Sequence, residues 1–416
     1  MKDSMYDYAL SVTSQFYYCG LPLRLDTYSR CQFNCLYCFA NARGGERGKR
    51  QLSAANATAL RSKLEHSSSQ VPRNVIEEFL AHRQPIHFGG MSDPFQPVES
   101  ELGITLALLR TLADFNYPTV ISTKGDLFLR DEYMEVLKRG TFILQVSMSS
   151  IDDELLGDVD LGTAAPSRRL HALNQLRAEG IPTACRIQPL LPGRETDAFH
   201  VIDACVAAGV KHVAVEHLKL PLEKSWRGTS RLSQVLGLNL EDYYRSRRAK
   251  RIGREWILPL DQRLERMISL RTYAHEKGLT FGAADNDLLL LSDGQCCCSG
   301  IDLIDDFKMF FNFNYTEAIR GALLTDTVEL RALDSKWCPR GSVAQFVNSH
   351  SRLASNNGRG AGIRDYVFNN WNGSPNGNAP TSLYGVEETG VYDEQGYKVY
   401  ALSSEVRSII GHTDLP

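Results

Sequence analysis

Short apolar runs with β character recur along the first half of the chain, separated by stretches in which apolar residues return every three or four positions. The β-like runs are "LPLRLDTYS", "PIHFGGM", "YPTVIST", "TFILQVSM", "IPTACRIQPL" and "VKHVAVEHL". Between them, "SRRLHALNQLRAEG" places Leu170, Leu173 and Leu176 on one helical face ahead of Gly180, and "DAFHVIDACVAAG" does the same with Val201, Ile202, Cys205 and Ala208 ahead of Gly209. Strands that alternate with helices predict an α/β fold with a parallel sheet. Six repeats fall short of the eight of a closed barrel, so the pattern predicts a partial (β/α)6 TIM-type barrel whose chemistry sits at the carboxyl ends of the strands. In "TACRIQ", Ala184, Arg186 and Gln188 share one strand face and Cys185 and Ile187 the other; if Arg186 points into the barrel, Cys185 points outward to the helices, and Cys185 and Cys205 read as core thiols.

The alternation stops near residue 220. The expected organisation is an N-terminal segment over 1–21, the barrel over 22–220 and a C-terminal extension over 221–354. An Asn/Gly-rich mobile loop over 355–382 and a tail over 383–416 follow. Within the extension, "DQRLERMISLRTYAHEKG" predicts an amphipathic helix. With 43% hydrophobic and 23% charged residues among 416, the chain reads as globular. No apolar run is long enough for a membrane span and the N-terminus lacks a signal-peptide pattern, so no membrane partner and a cytoplasmic location are expected. A reducing compartment turns ten cysteines away from disulfides and toward metal or redox use.

Three of those cysteines, Cys31, Cys35 and Cys38, crowd the eight residues of "CQFNCLYC", three residues after "LDTY". Three thiolates hold three irons of a four-iron, four-sulfur cluster and leave the fourth open, whereas structural zinc wants four ligands and CxxC knuckles. The CxxxCxxC spacing after a first strand resembles the cluster motif of radical S-adenosylmethionine (SAM) enzymes. "CLYCFANAR", "GGMSDPFQPVE", "ISTKGDLFLRD", "VSMSSIDDELLGDVDLGTAAPSRRL" and "LNQLRAEGIPTACRIQPLLPG", in this order, are similar to the spore photoproduct lyase-like branch of that superfamily. The resemblance implies a [4Fe-4S] cluster on the three cysteines, SAM on the open iron, and an electron donor such as flavodoxin or ferredoxin. It places Tyr37 by the adenine. "GGMSDP" stands where many relatives carry Gly-Gly-Glu; Met91 replaces the acid, leaving Gly89, Gly90, Ser92 and Asp93 as candidates for holding SAM. Lys124 becomes a candidate for the SAM carboxylate, Ser122 and Ser147 for the ribose, and Arg186 for a SAM contact inside the barrel.

Substrate choice rests on other features. A net charge of −3 gives no overall attraction to nucleic acid, so binding must come from local patches such as "ARGGERGKR" and "YYRSRRAKRIGREW". The second offers Arg245, Arg247, Arg248, Lys250 and Arg251 for phosphates, with Tyr243, Tyr244 and Trp256 for stacking. A solvated helix face is the competing reading. Cys296, Cys297, Cys298 and Cys338 supply four thiols for a second iron–sulfur cluster or a zinc, although adjacent cysteines of an extended segment point to opposite sides. His87 and His217 read as satisfied core histidines, and neither a Walker loop nor a Ser-His-Asp signature occurs. The expected function is hydrogen abstraction from a nucleic-acid or nucleotide substrate, in repair or modification, with no hydrogen donor assigned. A peptide or small metabolite as substrate, and a noncatalytic cluster- or zinc-bearing binder or sensor, are the alternatives.

Overall fold

The computed structural model describes residues 6, 9–40, 52–222, 227–294, 298–304, 307, 309–348, 362–373 and 378–411. Eight strands form one sheet and lie in it in chain order: β1 (Leu10–Val12), β2 (Leu23–Leu25), β3 (Ile86–Phe88), β4 (Thr119–Thr123), β5 (Phe142–Ser147), β6 (Thr183–Leu190), β7 (His212–His217) and β8 (Thr280–Ala283). β1 runs antiparallel to β2, and every other neighbouring pair is parallel. The six expected strands are β2 to β7, so the partial TIM-type barrel is present.

Its sheet extends past both ends of the 22–220 span. β1 lies in the N-terminal segment and β8 in what reads as the extension. Both are short, and "TFGA" carries a glycine where a strand signal needs a bulky residue. Gly282 has its own reason: a Cβ there would lie 2.3 Å from the Cys298 carbonyl oxygen, so only glycine admits the segment that crosses beneath β8.

The sheet's two faces are chemically distinct. Leu144, Val146, Cys185, Ile187, Val213 and Val215 face the helices and join the main core with Leu173, Leu176, Val201, Ile202 and Cys205. On the lumen face, Val120 and Ile143 pack with Leu21, Ile301 and Phe307 into a small apolar floor, against which Cys19 and Cys298 also lie. Segment 298–304 is held there by hydrogen bonds from His212 Nε2 to the Cys298 carbonyl at 3.1 Å and from Gln145 Nε2 to the Ser299 carbonyl at 3.4 Å.

The predicted amphipathic helix is Leu260–Glu276, with Met267, Leu270 and Ala274 buried. The expected loop over 355–382 and tail over 383–416 are corrected in part. Ile363–Trp371 is a helix, and Val386–Tyr392 and Lys398–Leu402 form a three-stranded sheet with Thr327–Val328. Ile363, Tyr366, Val367 and Trp371 fall on one helical face and are buried, a periodicity hidden by the flanking asparagines and glycines. Trp371 is fully buried, meets Tyr315 and Tyr400 edge-on, and donates Nε1–H to the Lys398 carbonyl at 2.8 Å. Trp371→Ala is expected to lower unfolding free energy by about 3–5 kcal/mol, measured by urea denaturation, because it empties a packed site and orphans a carbonyl. A change below about 1 kcal/mol would restore the loop reading.

Candidate active site

The three cysteines lie on the connection that leaves the carboxyl end of β2, the catalytic rim of the barrel. Asn34–Cys35 pairs antiparallel with Asp160–Leu161, bringing Cys35 opposite Asp160, and Leu36 N–H donates to the Val159 carbonyl at 2.9 Å. Gln96 holds the start of the loop through the Arg30 carbonyl at 3.0 Å, and the Gln32 amide oxygen accepts from Val98 N–H at 2.6 Å. Burial pushes the Cys31 thiol up to about 12, with Asp93 and Cys38 adding to the rise. Burial also pushes the Cys35 thiol well up, and Asp160, Cys38 and Cys31 add to it. The three sulfurs thus sense one another, and ionising them together needs a cation between them. A cationic iron–sulfur core meets that need, since it takes thiolates and displaces their protons. Asp93 N–H points at Cys31 Sγ from 3.5 Å, a donor suited to a ligating sulfur. Among the described residues no three Cys, His, Asp or Glu side chains stand in a position to hold a metal ion.

Behind the loop lies a buried charge hub that sequence reasoning missed. Asp160 is buried and accepts from the Tyr37 hydroxyl, from Lys124 Nζ at 3.3 Å and from Arg169 Nη1 at 3.0 Å. Arg169 is fully buried as well and donates to the Ser147 and Ala164 carbonyls at 2.7 Å each. Burial alone would raise the Asp160 carboxyl; Lys124 and Arg169 overcome it and hold the group below the usual carboxylate range. Asp160 and Arg169 both fall within "VSMSSIDDELLGDVDLGTAAPSRRL", yet a charged residue in a helix-rich stretch reads as surface.

Several SAM candidates serve the scaffold directly. Gly89 has φ +89°, and a Cβ there would meet the Ser122 carbonyl at 2.5 Å, so the turn itself requires glycine. Met91 and Ser92 N–H groups donate to Asp26 Oδ1 at 2.7 and 3.1 Å, and the Ser92 hydroxyl donates to the Tyr28 carbonyl at 2.7 Å. Asp26, the acid of "LDTY", therefore fixes this turn. Asp93 accepts from the Thr123 hydroxyl at 2.8 Å and from Lys124 N–H at 2.7 Å, which ties its carboxylate to the β4 end. Lys124 holds Asp160, and its Nζ lies 5.4 Å from the centre of the Tyr37 ring. Ser122 Oγ sits 2.8 Å from His87 Nε2 and donates to Gln145 Oε1 at 3.2 Å across the lumen face. Ser147 and Arg186 are opposite one another in register, and Gly90 is half-buried beside Arg24.

Cys296 and Cys297 lie outside the described residues. Cys298 belongs to the lumen floor, whereas Cys338 neighbours Glu78 and Arg364 and is pushed up to about 12 chiefly by burial. The basic stretch is a helix followed by a hairpin instead of one helix face. Arg245 lies in the last turn of the helix Leu240–Ser246 and pairs with Asp242 at 3.2 Å; Arg247 stacks 3.6 Å over the Tyr243 ring; Arg248 has φ +58° at the turn. Lys250–Ile252 and Glu255–Ile257 form the hairpin, which pairs onto Leu220–Pro221 just after β7. Tyr244 is corrected as a stacking residue: it is buried, with its hydroxyl on the Leu218 carbonyl at 2.5 Å.

Asp160→Asn leaves Lys124 and Arg169 facing an uncharged amide. The expected cost is about 3–5 kcal/mol in urea unfolding of the apoprotein, the range for breaking one side of a buried pair. Cys35→Ala is expected to abolish the visible iron–sulfur absorbance after anaerobic reconstitution; full iron content and absorbance in that variant would exclude the three-cysteine site.

Residues 25–204 match the family model described as the Radical SAM superfamily. An uncharacterized protein of Mycobacterium tuberculosis is 28% identical over 210 residues, which cover 48% of this chain and 60% of that protein. A Radical SAM Nalpha-GlyT isomerase of Pseudomonas phage M6 is 24% identical over 192 residues, covering 45% of this chain and 38% of the isomerase. This chain thus spans less than two thirds of either relative's length. Among solved structures, spore photoproduct lyase complexed with dinucleoside spore photoproduct is 14% identical with a TM-score of 0.48, over 62% of this chain and 75% of that one. Streptococcus suis SuiB bound to S-adenosylmethionine gives 15% and a TM-score of 0.36, over 55% of this chain and 49% of that one. The stretch from the end of β2 through the helix Asp197–Ala207, with the three-cysteine loop near its start, is a radical SAM domain.

Proposed function

We propose that this protein is a radical SAM enzyme acting on a nucleic-acid or nucleotide substrate. A radical SAM domain implies a [4Fe-4S] cluster and S-adenosylmethionine, which, when bound and supplied with an electron from a flavodoxin- or ferredoxin-type donor, furnish a 5′-deoxyadenosyl radical that abstracts hydrogen. Cys31, Cys35 and Cys38 would hold the cluster. Gly90, Ser122, Ser147 and Arg186 are the lumen-side candidates for SAM, while Gly89, Ser92, Asp93 and Lys124 shape the rim around it. A second metal on Cys296, Cys297, Cys298 and Cys338 remains part of the reading, to be tested by metal content after replacing Cys296 and Cys298 together.

The observation that carries the substrate class is the hairpin at the rim. It follows β7 at the carboxyl end of the sheet, the end from which the cysteine loop also leaves. Its outer strand exposes Lys250, Arg251 and Ile252, the last 56% exposed, and Trp256, directly opposite Arg251, is 39% exposed. A stable fold gains little from an exposed tryptophan and isoleucine among cations. Arg251 and Trp256 share one face of the hairpin, and a polymer that lays a phosphate on the one and a base on the other accounts for that pair, with Lys250 at the exposed edge within reach of a neighbouring phosphate. The overall charge of −3 makes such contact local, so affinity should be modest and salt-dependent.

Replacing Lys250 and Arg251 with Gln is expected to weaken single-stranded oligonucleotide binding and to reduce the slope of log affinity against log salt by about 1.4, at about 0.7 for each phosphate no longer neutralised. Trp256→Ala is expected to cost a further 1–3 kcal/mol with little change in slope. Fluorescence anisotropy over a salt series reads both; unchanged affinity in both variants would move the substrate to the peptide or metabolite class.

A further inference from the structure

A cavity of about 400 Å³ opens beside the cysteine loop, and none of the SAM candidates lines it. Its walls come from the connections after β3 and β4, which supply Phe95, Pro97, Leu127 and Arg130, and from Arg168 in the first turn of the helix Pro166–Ala178. Phe33 closes it on the side of the loop, two residues from Cys31 and two from Cys35. This ring is 6% exposed yet joins neither of the two apolar cores. It packs against Gly125, where a Cβ would lie 3.4 Å from Phe33 Cζ and 2.9 Å from the Phe95 carbonyl oxygen, so glycine there lets the two connections and the loop meet. The hub that mounts the loop also shapes the wall. Ala164, another lining residue, donates its N–H to the Lys124 carbonyl at 3.1 Å, and its own carbonyl accepts from Arg169 Nε at 2.7 Å.

Apolar surface and cations divide the lining between them. Phe33, Phe95, Pro97 and Leu127 give it rings and aliphatic carbon, while Arg130 and Arg168 stand exposed. Arg130 makes no ion pair among the described residues. Arg168 pairs with Asp126, the one acid among the lining residues, and keeps 69% of its side chain exposed. Two guanidinium groups against one carboxylate leave a local excess of positive charge on a chain whose net charge is −3. The acids nearby are drawn off elsewhere: Asp131, Glu135 and Glu179 line a separate groove between the helices Asp131–Arg139 and Pro166–Ala178. A partner that seeks positive charge therefore settles at the end of that cleft next to the cysteine loop.

A cluster on Cys31, Cys35 and Cys38 has to receive its electron while SAM and substrate fill the lumen, so the electron arrives from another side. Phe33 offers one: its ring faces the cavity and its backbone lies between two of the three ligands. We propose that this cavity is the docking point of a small acidic electron-carrier protein of the flavodoxin type, with the apolar edge of its flavin against Phe33 and Leu127 and its carboxylates on Arg130 and Arg168. The volume is in the range of small-molecule sites, which suits a protruding ring edge. A phosphate backbone would engage the two arginines and leave the apolar wall uncovered. One electron leaves the carrier's reduced flavin and enters the cluster, so the first is oxidised by one and the second reduced by one, with no bond formed or broken on this chain. Encounters of this kind are small and transient, and rim charge governs how fast they form. The proposal rests on the radical SAM domain and is independent of the nucleic-acid reading.

Two readouts test it on the full-length protein. Anisotropy of a labelled acidic flavodoxin gives its affinity for the apoprotein and for the anaerobically reconstituted protein, and stopped-flow bleaching of the cluster absorbance gives the rate of reduction by flavodoxin hydroquinone. Reduced methyl viologen, a small cation, is the control reductant. Replacing Arg130 and Arg168 together with Glu is expected to weaken flavodoxin binding and slow its electron transfer about tenfold or more at low salt. Reduction by methyl viologen is not slowed in that variant, and oligonucleotide affinity stays within about twofold. An acidic [2Fe–2S] ferredoxin, which presents no ring edge, is expected to bind more weakly than flavodoxin. Both arginines lie on the surface, so the fold should tolerate the change, which thermal unfolding checks; if the double variant does not fold, Arg130→Glu alone still decides. Unchanged flavodoxin affinity and rate in the variant, or a loss confined to oligonucleotide binding, would overturn the docking site. Ferredoxin binding more tightly than flavodoxin would overturn the flavin assignment. A wild-type protein reduced by methyl viologen that neither binds flavodoxin nor is reduced by it would overturn the proposal and leave the radical SAM domain standing.

Discussion

The buried carboxylate of Asp160 joins the parts of the site that chain order keeps apart. It stands opposite Cys35 in a two-residue ladder, receives the Tyr37 hydroxyl from the same loop, and pairs with Lys124 from the β4 end and Arg169 from the helix Pro166–Ala178. An unpaired charge at that depth costs several kcal/mol, so the fold retains Asp160 only with both cations in place. Arg169 in turn grips the Ser147 carbonyl at the β5 end. One ionic hub therefore fixes the cysteine loop against two strand ends, and a cluster bound there inherits a rigid mount.

A second layer of anchoring works through backbone N–H groups. Asp26 fixes the turn at Met91 and Ser92, and Asp93 fixes the turn at Phe95 and Lys124. The connections after β3 and β4 are thus each clamped by an acid from the connection before. The lumen stays available as a result: its apolar floor is closed by the segment 298–304, and its upper wall carries Ser122, Arg186, Gln188 and Glu216.

Much of this was legible in the residues. The strands β2 to β7 announced themselves by β-branched runs between helical periods, and the crowding of Cys31, Cys35 and Cys38 after a strand pointed to a cluster. What escaped were features made by long-range pairing. β1 and β8 are too short to carry a periodic signal, and the helix Ile363–Trp371 hides its apolar face among asparagines. Asp160 and Arg169 look like surface charges until their partners, 36 residues apart for Lys124 and Asp160, are brought together. Lys124, Asp93 and Gly89 were legible as rim residues, but their side-chain or backbone roles in holding the rim were not. The basic stretch was visible, whereas its division into a helix carrying a buried Tyr244 and a hairpin exposing Trp256 depended on pairing with Leu220–Pro221.

Radical chemistry on nucleic acid is the function proposed for the site built around the cysteine loop. It is read out by 5′-deoxyadenosine formation from the anaerobically reconstituted, reduced protein with SAM, compared across single-stranded DNA, duplex DNA, RNA and a peptide–metabolite extract. A rise of at least severalfold with one of the polymers, absent in Cys35→Ala, is expected. A rise with the extract alone, or no 5′-deoxyadenosine under any condition, would refute that function.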